Sequence, residues 1–238
     1  MGTEDQITES AKAVQEVAKT TGKAIDAGEK FGGFISRFIS GPLEQGMGLF
    51  EDKLKYMRWE RQMRLMQRSD QLLKEIGLDK PTRSIPLKLA IPLLEAASLE
   101  DDDSLQDLWA SLLVNAANGA SGISLQRAYI AVLEQITPLE ATLLHKIYSL
   151  PYGETQHNGV IVGNLPQEAS IGREDGKEDE LHEPSDEVKL ALANLARLGC
   201  VVIQKSWGGG ELFKKVNPTL LGKSFVEACT IQVSNEQI

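Results

Sequence analysis

The feature that most constrains the fold of this chain is the stretch from Pro92 to Leu113, which reads as two helices meeting at an acidic corner. After the corner, Leu105, Leu108, Trp109, Leu112 and Leu113 recur at the spacing of one apolar helical stripe. Before it, Leu89, Leu93, Leu94 and Ala97 do the same. Asp102, Asp103 or Ser104 can cap the second helix, and carboxylates in a first turn are stabilised by the helix dipole. Glu95, Glu100, Asp101, Asp107 and Trp109 are therefore expected as core and corner residues of a helical body.

The other helical candidates extend this pattern. Residues 43–77 read as a long central helix, with Leu54, Trp59, Met63, Leu65, Met66, Leu72, Leu73 and Ile76 spread over a wide apolar arc. Lys53, Arg61, Arg64 and Arg68 gather opposite, with Lys55 and Arg58 at the flanks. This basic face can pair with the chain's own acidic corner, contact a partner, or bind a polyanion such as RNA. A formal net charge of −9 and a pI near 5.0 favour the first two. A further helix is expected over about 124–136, and Thr137-Pro138-Leu139-Glu140 opens another with an N-cap, a proline at N1 and an acid in the first turn.

N-terminal to the central helix, residues 8–39 form an amphipathic arm that becomes more apolar around the paired Gly32 and Gly33. Phe31, Phe34, Ile35 and Phe38 are its candidate contact residues, for a bilayer interface or for a second copy. Packing on the chain's own body or on a second copy is favoured over the membrane, because acidic residues interrupt the lysines. The arm is expected to be separable from the body, ending at Gly41-Pro42.

The C-terminal part changes character. Residues 153–184 read as an acidic insertion, with a short strand at Gly159–Gly163. A helix then restarts at Pro184-Ser185-Asp186, and two β-type runs flank Trp207-Gly208-Gly209-Gly210 as a hairpin. Helix, helix, glycine-tipped hairpin, helix resembles a winged helix-turn-helix module, as does the Leu-x-x-Leu-Gly-Cys-Val run before the wing. The expected architecture is mainly α: an N-terminal arm (1–42), a helical signature domain (43–136) and a winged-helix-like α+β domain (137–238).

Little in the sequence points to catalysis. The three histidines show no zinc spacing, and no phosphate loop, dinucleotide fingerprint or nucleophile elbow is present. Consecutive aspartates do not make a calcium loop, and Cys200 and Cys229 are expected as small buried residues of a reduced protein. The expectation is a non-enzymatic protein with no cofactor, no metal and no small-molecule substrate. The start lacks the charged and apolar regions of a signal peptide, and no run reaches the roughly 18 apolar residues of a spanning helix. On the candidate recognition helix, Lys189, Asn194 and Arg197 stand against Asp186 and Glu187, so protein contact is favoured over DNA.

Leu93-Leu94-Glu95-Ala96-Ala97-Ser98-Leu99-Glu100-Asp101, followed by Leu105-Gln106-Asp107-Leu108-Trp109-Ala110-Ser111-Leu112-Leu113, resembles the Abi-alpha (abortive infection alpha) family of bacterial proteins. Lys53-Leu54-Lys55-Tyr56 and the run Leu133 to Ala141 are similar as well, and the likeness covers most of residues 10–230. The resemblance implies a cytoplasmic antiphage protein, soluble or peripheral to the inner membrane, that blocks phage at a cost to the host cell. It brings no catalytic residues. Protein partners or self-association are the expected mode of action. A membrane-perturbing arm and nucleic-acid binding through the basic helix or the wing are the alternatives.

Overall fold

The computed structural model describes residues 30–40, 59–172 and 181–231. Residues 30–38 are helical (α1), and a two-residue strand, β1 (Ile39–Ser40), pairs in parallel with β2 (Ile85–Pro86). Between them lies α2 (Trp59–Glu75), which ends as Gly77 N–H donates back to Lys74 O. The expected start of the central helix, with Lys53, Leu54, Lys55 and Arg58, falls outside the described residues, as do residues 1–29 of the arm.

The signature stretch folds as two helices, α3 (Leu87–Leu99) and α4 (Asp103–Ala117). Leu93, Leu94, Ala97, Leu105, Trp109, Leu112 and Leu113 are all buried. Of the three candidate caps it is Asp102 that acts, its carboxylate accepting from Ser104 N at 2.8 Å and Leu105 N at 3.0 Å. At the far end of α4, Arg83 Nε donates to Ala116 O at 2.8 Å, placing a cation on the negative end of the helix dipole.

Next come α5 (Arg127–Leu133), shorter than its apolar pattern, and α6 (Pro138–Tyr148). Thr137 and Glu140 close a reciprocal capping box, which fixes the start of α6 where the Thr-Pro-Leu-Glu run places it. The segment that follows is more structured than its composition suggests. It contains α7 (Tyr152–Asn158), β3 (Val160–Ile161) and β4 (Ser170–Ile171). Val160, Val162 and Leu165 are buried, so the acidic composition begins only after residues 152–172 have joined the core. Residues 173–180 fall outside the described part.

The chain finishes with α8 (Asp186–Arg197), β5 (Val201–Lys205), β6 (Glu211–Pro218) and α9 (Leu220–Ala228). The result is a mainly α protein with a four-stranded antiparallel sheet ordered β4-β3-β6-β5. Gly199 sits at φ 76°, a left-handed conformation costly for other residues, and turns α8 into β5. A single apolar cluster runs through both halves, from Phe31 to Cys229.

That cluster takes in the described apolar residues of the arm, which pack on the chain's own body. Phe31, Phe34, Ile35 and Phe38 are all buried, in the same core as Leu65 and Leu72. Arg37 lies over the Phe34 ring at 5.2 Å and pairs with Asp70 of α2 at 2.5 Å.

Candidate functional site

The signature residues and the basic helix meet at one place. Arg61, Arg64 and Arg68 lie on one side of α2 at i, i+3 and i+7, and the acidic corner supplies Asp101, Asp103 and Asp107. Arg61 Nη1 donates to Asp103 Oδ1 at 2.5 Å, and its Nη2 donates to the Asp101 carbonyl. Arg64 lies 3.2 Å from Asp103 and 2.9 Å from Asp107, and Arg68 lies 3.3 Å from Asp107 and 3.6 Å from Glu75. Since Arg61 meets Asp101 and Asp103 while Arg68 meets Asp107, α2 and α4 run in the same direction.

The lower rungs are ion pairs without hydrogen-bond alignment, for Arg68 Nε and Asp107 Oδ1 find no aligned partner. Exposed pairs of this kind contribute little each. The ladder therefore sets register between α2 and α4, while the apolar residues beneath supply the stability. It also occupies the three arginines read as a polyanion or partner contact. Three guanidinium charges face the carboxylates of Asp101, Asp103, Asp107 and Glu75, and this excess of negative charge disfavours an incoming phosphate.

Sequence reading missed the residue at the centre of the ladder. Gln106 is fully buried; its Nε2 donates to Ala97 O at 3.0 Å and Arg61 O at 3.1 Å, and its Oε1 accepts from Arg64 at 3.2 Å. One side chain thus joins α2, α3 and α4. The available signal was a polar residue sitting inside an apolar stripe. Trp109 is also buried as expected, although its indole N–H has no partner. Glu95 and Glu100 stand on the approach to the corner, where Glu100 accepts from Asp102 N at 3.0 Å.

At the other end of the molecule, α8 holds the polar groups that could read a groove, and each is already engaged. Lys189 pairs with Glu183 at 2.9 Å. Asn194 donates to Glu140 Oε1 at 2.7 Å and Gln135 O at 3.1 Å, and Arg197 donates to Gln135 Oε1 at 3.1 Å. Glu183 also accepts from Phe213 N at 3.0 Å. Lys189 first, then that N–H, holds its carboxyl below the usual carboxylate range. What α8 leaves to solvent is Asp186, Glu187, Leu190 and the hydrogen-bonded Arg197.

Tyr148, Cys200 and Cys229 are held in their neutral forms by burial. Tyr148 donates its hydroxyl to Cys200 O and accepts from Thr219 N at 2.9 Å, joining α6 to β5 and α9. Burial pushes its pKa up to about 12. Burial likewise raises Cys200 to about 11 and Cys229 higher still, so both stay as inert thiols. His145 and Cys229 line the same small apolar groove, but a thiol raised in this way supplies little nucleophile. Among the described residues no group of three or more His, Cys, Asp or Glu could hold a metal ion, and no helix is long and apolar enough to cross a membrane.

The family model described as "Abortive infection alpha" matches residues 60–229, a span that contains the ladder, the signature helices and the hairpin. The chain belongs to the abortive infection alpha family. The matched range begins within α2, so the likeness read over residues 10–59 is not part of it. No curated protein and no solved structure matches the chain. An abortive-infection-related role follows from membership of the abortive infection alpha family.

Proposed function

We propose that this chain is a non-enzymatic antiphage protein that acts in the cytoplasm through protein contacts, with a partner or with further copies of itself. The observation that carries this reading is the state of α8. Lys189, Asn194 and Arg197, the groups needed for base or phosphate contacts, are bound to Glu183, Glu140 and Gln135 of the same chain. Arg61, Arg64 and Arg68 are similarly paired with the acidic corner.

The C-terminal part is read as a winged-helix-like module. Its support is the order α6, α7, β3, β4, α8, β5, glycine-tipped turn, β6, with β6 lying between β3 and β5. In this reading the module is a docking unit, for a fold does not by itself fix what it binds. The raised thiols and the engaged side chains favour a protein that works by contact over one that works by bond-making.

The test is a plaque assay on bacteria carrying the gene, beside a binding titration of the purified chain with RNA and duplex DNA over increasing salt. Protection accompanied by early death of infected cells, with no salt-sensitive nucleic-acid binding, is the expected result. Tight binding that weakens steeply with salt would overturn the protein-contact reading.

A further inference from the structure

Gly32 and Gly33 stand inside α1 with no steric reason to be there. Glycines within a helix are explained by a break, by the close approach of another element, or by a backbone that other residues resist. α1 runs unbroken through both, from residue 30 to residue 38. Neither glycine takes a positive φ. A β-carbon at either position would meet no described atom within 4 Å. What is left is their effect on the helix itself, which each glycine disfavours about four- to fivefold relative to alanine.

That penalty falls on a segment whose docking is finely balanced. Phe31, Phe34, Ile35 and Phe38 hold α1 in the core. Ordering residues 30–40 costs conformational entropy of the same order as four buried side chains return. The other ties are small. β1 and β2 pair over two residues each, and the Arg37–Asp70 pair is part-exposed, of a kind that contributes little. The body is fastened differently, for buried Gln106 joins three helices and buried Asn115 ties α4 to the end of α9. Small terms decide a balance of this kind, and the paired glycines are two of them.

We propose that α1 and β1 form a latch that opens while the rest of the body stays folded, and that this opening is a step in the protein's action. Opening carries Phe31, Phe34, Ile35 and Phe38 out of the core and frees the β2 edge at Ile85–Pro86. The second half of the proposal rests on the antiphage reading above, and the first half does not.

The experiment is hydrogen exchange of the full chain, read by mass spectrometry over a series of low urea concentrations, beside the plaque assay. Residues 30–40 are expected to exchange ahead of α4 and with a weaker dependence on urea, as a local opening that exposes little surface does. Gly32→Ala and Gly33→Ala together are expected to slow exchange of residues 30–40 about fifteen- to thirtyfold and to melt no lower than wild type. The same double variant should protect less well against phage. Ser36→Gly works in the other direction. Ser36 is exposed and its hydroxyl donates to Gly33 O at 2.7 Å within the helix. A third glycine there should quicken the exchange about twofold or more and keep protection.

Exchange of residues 30–40 at the rate and urea dependence of α4 overturns the latch. A double-alanine variant that melts below wild type overturns it too, for then the glycines serve packing. So does a double variant whose exchange is not slowed. Full protection by the double variant with its exchange slowed, or loss of protection in Ser36→Gly with its exchange quickened, overturns the role in action. If the wild type gives no protection, the antiphage reading fails with that role, and the exchange comparison still decides whether α1 opens.

Discussion

Asn115 Nδ2 donates to Ala228 O at 2.9 Å, tying the signature helix α4 to the end of α9 across 113 residues of sequence. The same amide donates to Thr230 O at 2.9 Å. The last carbonyls of a helix have no partner within it, and here a buried side chain supplies one. Asn115→Ala leaves both carbonyls without this donor and should lower stability by about 1–3 kcal/mol, the cost of an unsatisfied buried polar group. Urea denaturation measures it, and a variant as stable as wild type would show that water replaces the amide.

Trp109 tests what the signature is for. It is almost wholly buried, so Trp109→Ala should cost about 3–5 kcal/mol, as large-to-small core substitutions do. Its indole N–H is unpartnered, so Trp109→Phe should cost much less, with ring volume mattering and the donor not. Thermal melts of both variants decide this. If Trp109→Ala kept full stability and lost protection against phage, the signature would be a contact surface instead of core.

The ladder makes an electrostatic prediction. Exchanging Asp101, Asp103 and Asp107 together for asparagine removes three carboxylates from beside Arg61, Arg64 and Arg68. Each exposed pair is worth about 0.2–1 kcal/mol, so the variant should remain folded with a modest fall in stability. Its uncovered arginines should then bind heparin or RNA in a salt-sensitive way that the wild type does not. Equal binding by both proteins would mean that the aspartates do not mask the basic face.

The sequence made some parts of this fold legible and hid others for physical reasons. Helices with local signals, such as the Asp102 cap and the Thr137–Glu140 box, lie where their residues place them, because a cap is written within four positions. The stripe of Leu105, Trp109 and Leu112 was equally plain from its period. β3 and β4 are two residues each; β4 is held by β3 and β3 by β6, some fifty residues onward in the chain, so nothing local announces them fully. The ladder was legible as two opposite charge clusters, but Gln106 was not, because its three partners lie on two other helices. The arm's partner was left open in the sequence because an amphipathic stripe looks the same whether it meets lipid, another chain, or the chain's own core.

Acid should loosen the corner. The Ser104 hydroxyl first, then the Leu105 N–H, holds the Asp102 carboxyl below the usual carboxylate range. A carboxyl lowered on folding contributes stability above its unfolded pKa and loses it as pH falls through the lower, folded value. The melting temperature should therefore drop as pH falls below the usual carboxylate range, and Asp102→Ala should remove part of that dependence. An unchanged pH profile in the variant would show that the cap does not contribute to acid sensitivity.

The last prediction separates a core role for α1 from a surface role. Phe34 and Phe38 are buried with ring centroids 4.8 Å apart, and Arg37, which lies over both rings, is paired with Asp70 of α2. Removing either ring should leave a cavity and cost about 3–5 kcal/mol, measured by denaturation of Phe34→Ala and Phe38→Ala. Arg37→Ala should cost far less, because its pair with Asp70 is largely exposed. A bilayer anchor would show the opposite pattern: both phenylalanine variants would melt like wild type and lose binding to vesicles in a flotation assay. That outcome would require α1 to leave the core, and it would restore the membrane-perturbing arm as the mechanism.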